Sequence, residues 1–284
     1  MPRVSALLTL ACSAVLVLAG YAHQAVVVLA VALLQAALAF SWHDATALPG
    51  RRGGASVAVA AGVGASLAVF LDGEDGEVTP LLGAVGIGFV LALLHQLTRR
   101  DGRPDVVASL SGTVTLVALT VLPATWIAER ESRGGAAVLA CAATAAAVAV
   151  LATLLPRWPL LGGALGLAGG TAAGTGVAAL EPVLASSGRW IAAVAAFVAV
   201  MAVAIARFAT ADAQPAGRTP PVPVGVAATR LSGAGDPTDP PHPPAPDQRG
   251  PVDRVRQAQM LVVATLPLIL AGPAAYVLGR VLVG

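Results

Sequence analysis

Long apolar runs recur along the whole chain, and they restrict what it can fold into more than any other feature. A helix that crosses the roughly 30 Å hydrocarbon core of a bilayer needs about 20 apolar residues, with about 17 as the lower limit. Nine runs in this sequence meet that limit. They cover residues 4–20, 24–40, 55–71, 80–97, 106–128, 135–155, 160–180, 189–206 and 257–283.

The composition points to the same class of protein. The residues are 57% hydrophobic and 11% charged, and the mean hydropathy is +0.81. Soluble domains are roughly 45–50% apolar and about 25% charged. We therefore predict an all-α fold, a polytopic transmembrane helical bundle of about nine spans.

The placement of arginine predicts how these spans are oriented. All 17 basic residues are arginine, and basic residues gather in the cytoplasmic loops of membrane proteins. With the N-terminus inside, 13 arginines fall in inner segments and four in outer segments. The four outer ones are Arg130, Arg133, Arg189 and Arg280. We predict that the N-terminus is inside and the C-terminus outside.

The first apolar run has a second interpretation. Residues 1–22 combine a basic start, an apolar stretch and a small-residue end, which is also the pattern of a cleaved secretory signal peptide. Cleavage would leave eight spans, and the threading of the later spans would not change.

One long segment between the spans has a different character. Eleven prolines lie between Pro215 and Pro251, and no apolar periodicity accompanies them. Such a segment cannot bury a core, so we expect it to be disordered and cytoplasmic. The predicted organisation is a bundle of eight spans at 1–208, a Pro-rich loop at 209–256, and a final helix at 257–284. Prolines at 267 and 273 are expected to kink that helix.

The densest glycine run, GGALGLAGGTAAGTG at 162–176, raises the question of a phosphate-binding loop. A P-loop requires a lysine, and the chain has none. Four of the glycines recur at four-residue spacing, which places them along one face of a helix. They are Gly162, Gly166, Gly170 and Gly174, and we call them the glycine ridge. Small residues let transmembrane helices approach closely, so the ridge is predicted to be a packing surface.

The most polar stretch outside the Pro-rich segment is HQLTRRDGRPD, residues 95–105. His95 and Arg99 are four residues apart and are expected to share a helix face. With Arg100 and Arg103 they form a candidate contact for a phosphate or an anionic lipid headgroup. The alternative is that these arginines only set the topology, because the same end of the span lies on the predicted cytoplasmic side.

Charged residues within membrane spans usually mark functional sites. Here Asp, Glu and Arg occur only at the ends of the predicted spans. This distribution argues against a proton-coupled pump, an intramembrane metal site or a buried carboxylate pair. We predict no catalytic residue, no cofactor and no metal.

The overall pattern, and especially the ending LPLILAGPAAYVLGRVLVG, resembles uncharacterised multi-pass integral membrane proteins of high-GC actinobacteria. This resemblance implies no activity. The sequence favours a plasma-membrane protein that acts as an accessory or scaffold component. The alternatives are a permease-like protein for an uncharged or lipidic solute, with a pathway near spans five, seven and nine, and a lipid-headgroup-handling enzyme at 95–105. The predicted partners are membrane lipids and other membrane proteins, reached through the glycine ridge or the Pro-rich loop, and no nucleic acid.

Overall fold

The computed structural model of the protein describes residues 2–46, 51–72, 77–99, 105–132, 134–152, 159–180, 194–204 and 251–282. These residues are nearly all helical and include no strand, so the prediction of an all-helical fold is confirmed for them. The helices are α1 (Pro2–Tyr21), α2 (Gln24–Thr46), α3 (Arg51–Asp72), α4 (Thr79–Thr98), α5 (Val106–Val121), α6 (Thr125–Glu131), α7 (Gly135–Ala152), α8 (Pro159–Ala179), α9 (Val194–Ala204) and α10 (Pro251–Leu282).

Within the described residues, seven stretches of helix are long and apolar enough to cross a membrane, which makes the chain compatible with a multi-pass membrane protein. They are α1, α2, residues Gly53–Leu71 of α3, α4, α5 together with α6, α7, and residues Gln257–Leu278 of α10. The predicted count of nine is therefore not confirmed. The other two predicted spans correspond to α8 and to α9, an apolar helix of 11 described residues. The orientation stays a prediction.

The centre of the bundle is α7, in which 78% of the residues are buried. Its sequence is rich in alanine, and small side chains let neighbouring helices approach closely. Helices α1, α6, α8 and α10 all pack against it. On α1, Gly20 lies against the Leu139 side chain, and the Thr9 hydroxyl donates a 2.9 Å hydrogen bond to the Ala264 carbonyl of α10.

Helices α2, α3 and α5 form a second packed group, and buried polar side chains join them. The Gln35 amide donates to the Gly62 carbonyl at 3.1 Å and to the Ser66 hydroxyl at 2.9 Å. The Thr120 hydroxyl lies 3.0 Å from the Ala58 carbonyl. Hydrogen bonds of this kind hold helices together in lipid, because the hydrophobic effect does not drive one apolar helix against another there. Helix α4 packs on α3 and α5 but keeps most of its surface exposed.

Prolines lie within two of the predicted spans, and the helix is interrupted at one of them. The predicted fifth span was one uninterrupted run, whereas the structure divides it at a 3₁₀ turn, Leu122–Ala124. Pro123 lies in this turn and has no backbone N–H to continue an α-helical ladder. Pro267 and Pro273 lie inside α10, which begins at Pro251 rather than at Gln257. Most of the predicted Pro-rich loop lies outside the described residues.

Candidate functional site

The two described residues of the predicted headgroup contact, His95 and Arg99, point in different directions. His95 points toward α3, where its imidazole lies directly against the backbone of Gly53 and leaves no room for a Cβ there. Its Nε2 atom is buried without a hydrogen-bond partner. Arg100 and Arg103 lie outside the described residues.

Arg99 turns toward α5 and takes part in a buried polar network. Its Nη1 donates to Gln96 Oε1 at 3.0 Å and to Ser109 Oγ at 2.9 Å, and Gln96 Nε2 also donates to Ser109 Oγ at 2.9 Å. Only 8% of Arg99 is exposed. His95 and Arg99 do not reach the same helix, because His95 lies against Gly53 of α3 whereas Arg99, the residue that ends α4, bonds to Ser109 of α5.

The glycine ridge lies between α7 and α9. A Cβ placed on Gly166 would lie 2.9 Å from the Ala149 carbonyl oxygen, and one on Gly170 would lie 2.7 Å from that of Ala145. On Gly174 it would lie 2.6 Å from the Ala195 Cβ. The surroundings of Gly162 lie outside the described residues. Three of the four predicted ridge glycines thus contact two helices of the same chain.

The interrupted span meets the proline-containing helix α10 directly after the 3₁₀ turn. The indole Nε1 of Trp126 donates a 3.0 Å hydrogen bond to the Leu268 carbonyl of α10. A Cβ on Gly272 would lie 2.7 Å from Thr125 Oγ1 and 2.9 Å from Trp126 Nε1, so only glycine permits this approach. We call the contact of Thr125 and Trp126 with Leu268 and Gly272 the proline junction. Trp126 is fully buried within it.

One turn beyond the proline junction lies a buried carboxylate, Glu129, which is 1% exposed. The Ser132 hydroxyl lies 3.3 Å from Glu129 Oε1, and Glu129 Oε2 has no hydrogen-bond partner. Gly135 at the start of α7 packs on the Glu129 backbone carbonyl.

Glu129 is not among the predicted site residues, because it directly follows the predicted fifth span, where a polar residue is expected. A usable signal was present, since Glu129 follows Trp126 by three residues and therefore lies on the same face of the helix. A second signal was Pro123, which marks an interruption just before both.

Within the described residues, no group of three or more His, Cys, Asp or Glu side chains is arranged to hold a metal ion. Comparison with known protein families, curated proteins and solved structures found no match. The chemistry of the chain is therefore argued from its own residues.

Proposed function

We propose that this chain is a multi-pass protein of the plasma membrane that moves an uncharged or lipidic solute, with its pathway along the proline junction. The predicted pathway involved spans five, seven and nine. Span five corresponds to α5 and α6, and span nine to α10, and these helices are in contact. Span seven corresponds to α8, which packs on α7 instead.

The observation that carries the proposal is the contact of an interrupted span, α5 with α6, with a helix that contains two prolines, α10, beside a buried carboxylate. In transporters, substrate sites are commonly formed where broken helices expose backbone carbonyls inside the bundle. The proline junction has this character, because Pro273 removes the helical donor for the Ile269 carbonyl, next to the Leu268 carbonyl that Trp126 binds. A buried ionisable side chain in a membrane span is by default a candidate functional residue, and Glu129 lies one turn away.

The other two predicted functions have less support. A headgroup-handling enzyme at 95–105 requires His95 and Arg99 to face one ligand, but they face α3 and α5 respectively. The accessory or scaffold role depended on the glycine ridge and the Pro-rich loop. The described ridge glycines contact α7 and α9, and residues 205–250 are not described, so this role stays a prediction.

Reconstitution into liposomes tests the proposal with two probes. The first probe is a fluorescent phosphatidylethanolamine, and dithionite quenches the fluorophores that lie in the outer leaflet, so the loss of fluorescence reports lipid movement. The second probe is glycerol, whose entry makes the vesicles swell and so reports the passage of an uncharged solute. We expect protein-containing vesicles to respond faster than protein-free vesicles with at least one probe. Equal rates with both probes would contradict the proposal.

A matched pair of tryptophan variants tests whether the proline junction is the pathway. Trp126→Phe removes the hydrogen bond to the Leu268 carbonyl and keeps an aromatic ring. Trp42→Phe on α2 is the matched control, because the buried Nε1 of Trp42 has no hydrogen-bond partner among the described residues. A net hydrogen bond contributes about 1 kcal/mol, so we expect Trp126→Phe to change the transport rate about fivefold. Trp42→Phe should leave the rate unchanged. A similar effect of both variants would place the pathway elsewhere.

A further inference from the structure

The bundle contains a buried glutamine whose amide is bonded at one end only. Gln35 on α2 is fully buried, and its Nε2 donates to the Gly62 carbonyl at 3.1 Å and to the Ser66 hydroxyl at 2.9 Å. The amide cannot be turned over, because a carbonyl only accepts hydrogen bonds and Oε1 would then face the Gly62 carbonyl oxygen. Oε1 therefore stays on the other side, where it has no hydrogen-bond partner among the described residues.

This unpaired carbonyl lies at the middle of its helix. Gln35 is equally far from Gln24 and Thr46, the two ends of α2, and the distance to each end is roughly 16–17 Å at 1.5 Å per residue. In a bilayer core roughly 30 Å thick, a spanning α2 places Oε1 near the midplane, which bulk water does not reach. A buried acceptor without a donor is unfavourable there, so a ligand that supplies the donor gains a hydrogen bond. Substrate sites of transporters commonly lie at this depth.

The side chains around this carbonyl are polar but uncharged. The Ser66 hydroxyl accepts a bond from the Gln35 amide and so keeps its own proton for another acceptor. Thr120 of α5 lies on the third side, since a Cβ on Gly62 would lie 3.2 Å from both Gln35 Cδ and Thr120 Cβ. An ammonium or a phosphate would find no opposite charge on these three side chains, and a buried charge without a partner is costly. A hydroxyl group, in contrast, can donate to Oε1 and accept from Ser66.

We propose that Gln35 Oε1 and the Ser66 hydroxyl bind one hydroxyl group, which belongs either to a water molecule or to an uncharged, hydroxyl-bearing solute. The site adjoins the proposed pathway, because Thr120 precedes the 3₁₀ turn by two residues and α2 packs on α10. This inference rests on the proposed function where it names the transported solutes as alcohols and polyols. The binding of a hydroxyl group at Gln35 is measured separately from transport.

A crystallographic electron-density map of the full-length protein, at a resolution that shows ordered water, measures the occupancy of the site. Crystals are grown in plain buffer and in buffer with glycerol. We expect a density peak within about 3.2 Å of Gln35 Oε1. The same single-atom peak in both maps would identify water as the source of the hydroxyl, and a larger peak in the glycerol map would identify a solute. No peak in either map would overturn the inference.

Two glutamine variants provide a matched comparison. Gln35→Met keeps the length of the side chain and removes the amide, so the peak should disappear. With a solute hydroxyl, glycerol-driven swelling of liposomes should also slow about fivefold, the effect of one lost hydrogen bond, whereas with water it should not change. Gln96→Met is the control, because both ends of that buried amide have partners: Nε2 donates to Ser109 and Oε1 accepts from Arg99. It should keep both the peak and the swelling rate.

A third variant keeps the outcome decisive if Gln35→Met does not fold. Ser66→Ala leaves the bond from Gln35 to the Gly62 carbonyl in place and removes the second partner of the hydroxyl, so the peak should weaken. A peak of full height in Gln35→Met or in Ser66→Ala would contradict the assigned contacts and overturn the inference. A wild-type peak without transport would overturn only the proposed function, whereas transport of glycerol without a peak would overturn only the site at Gln35.

Discussion

Adding one methyl group at Gly170 tests whether the glycine ridge is close-packed. The Cβ of Gly170→Ala would lie 2.7 Å from the Ala145 carbonyl oxygen and 2.8 Å from the Ala199 Cβ. Both are closer than ordinary van der Waals contact, and neither atom belongs to a flexible side chain that can turn away. The helices α7, α8 and α9 must therefore separate locally to accept the methyl group.

Gly176→Ala is the matched control, because the same helix carries it and a Cβ there would meet nothing within 4 Å. Overpacking costs about 1–3 kcal/mol. Alanine favours a helix over glycine by about 1 kcal/mol, and this gain is the same at both positions. We therefore expect Gly170→Ala to be less stable than Gly176→Ala by about 1–3 kcal/mol.

Thermal unfolding in detergent, followed by size-exclusion chromatography of the heated samples, measures this difference. At roughly 2–4 °C per kcal/mol, the midpoint of Gly170→Ala should lie roughly 2–12 °C below that of Gly176→Ala. Gly170→Leu should be worse still, whereas Leu167→Ala should be mild because Leu167 is 39% exposed. If Gly170→Ala is as stable as Gly176→Ala, the close contact between α7, α8 and α9 is refuted.

The remaining predictions concern the threading and the arginine network. Single cysteines at Asp75 and Ser132 should react with an impermeant reagent in intact cells, whereas cysteines at Gly102 and Gly235 should not, and labelling at Gly235 would overturn the orientation. Arg99→Lys should insert normally, because lysine satisfies the same topological preference. It should nevertheless lower the unfolding midpoint, since the shorter lysine side chain does not reach both of the partners that Arg99 Nη1 bonds, Gln96 and Ser109, and about 1 kcal/mol is lost. An unchanged midpoint would show that the bridge contributes nothing.

Helix positions were largely predictable from the sequence. Predicted starts at Gln24, Val106 and Gly135 coincide with the starts of α2, α5 and α7. The reason is that the length of an apolar run and the polar residues at its ends together limit where a helix can lie. The interruption at Leu122–Ala124 was not predicted, although Pro123 is visible in the sequence and proline is incompatible with an unbroken ladder.

The surroundings of individual side chains were much less predictable, because they depend on residues that are distant in the chain. Trp126 finds its acceptor at Leu268, 142 residues later. The burial of Glu129 depends on α7 and α10 packing around the end of α6. No local pattern contains that information, so a residue that looked like the polar end of a span was not recognised as a buried one.

Hydrogen-bond satisfaction separates the candidate ligand contacts more clearly than the density of charge in the sequence does. The span formed by α5 and α6 has a buried polar cluster at each end. At Ser109, arginine and glutamine side chains donate to the same hydroxyl, so the polar groups of this network bond to one another. At Glu129, one carboxyl oxygen has no hydrogen-bond partner among the described residues. A satisfied network holds helices together and gains little from a ligand, whereas an unsatisfied buried polar group gains a hydrogen bond when a ligand supplies the missing partner. That difference, rather than the number of arginines, makes Glu129 a better candidate than Arg99 for contact with a solute.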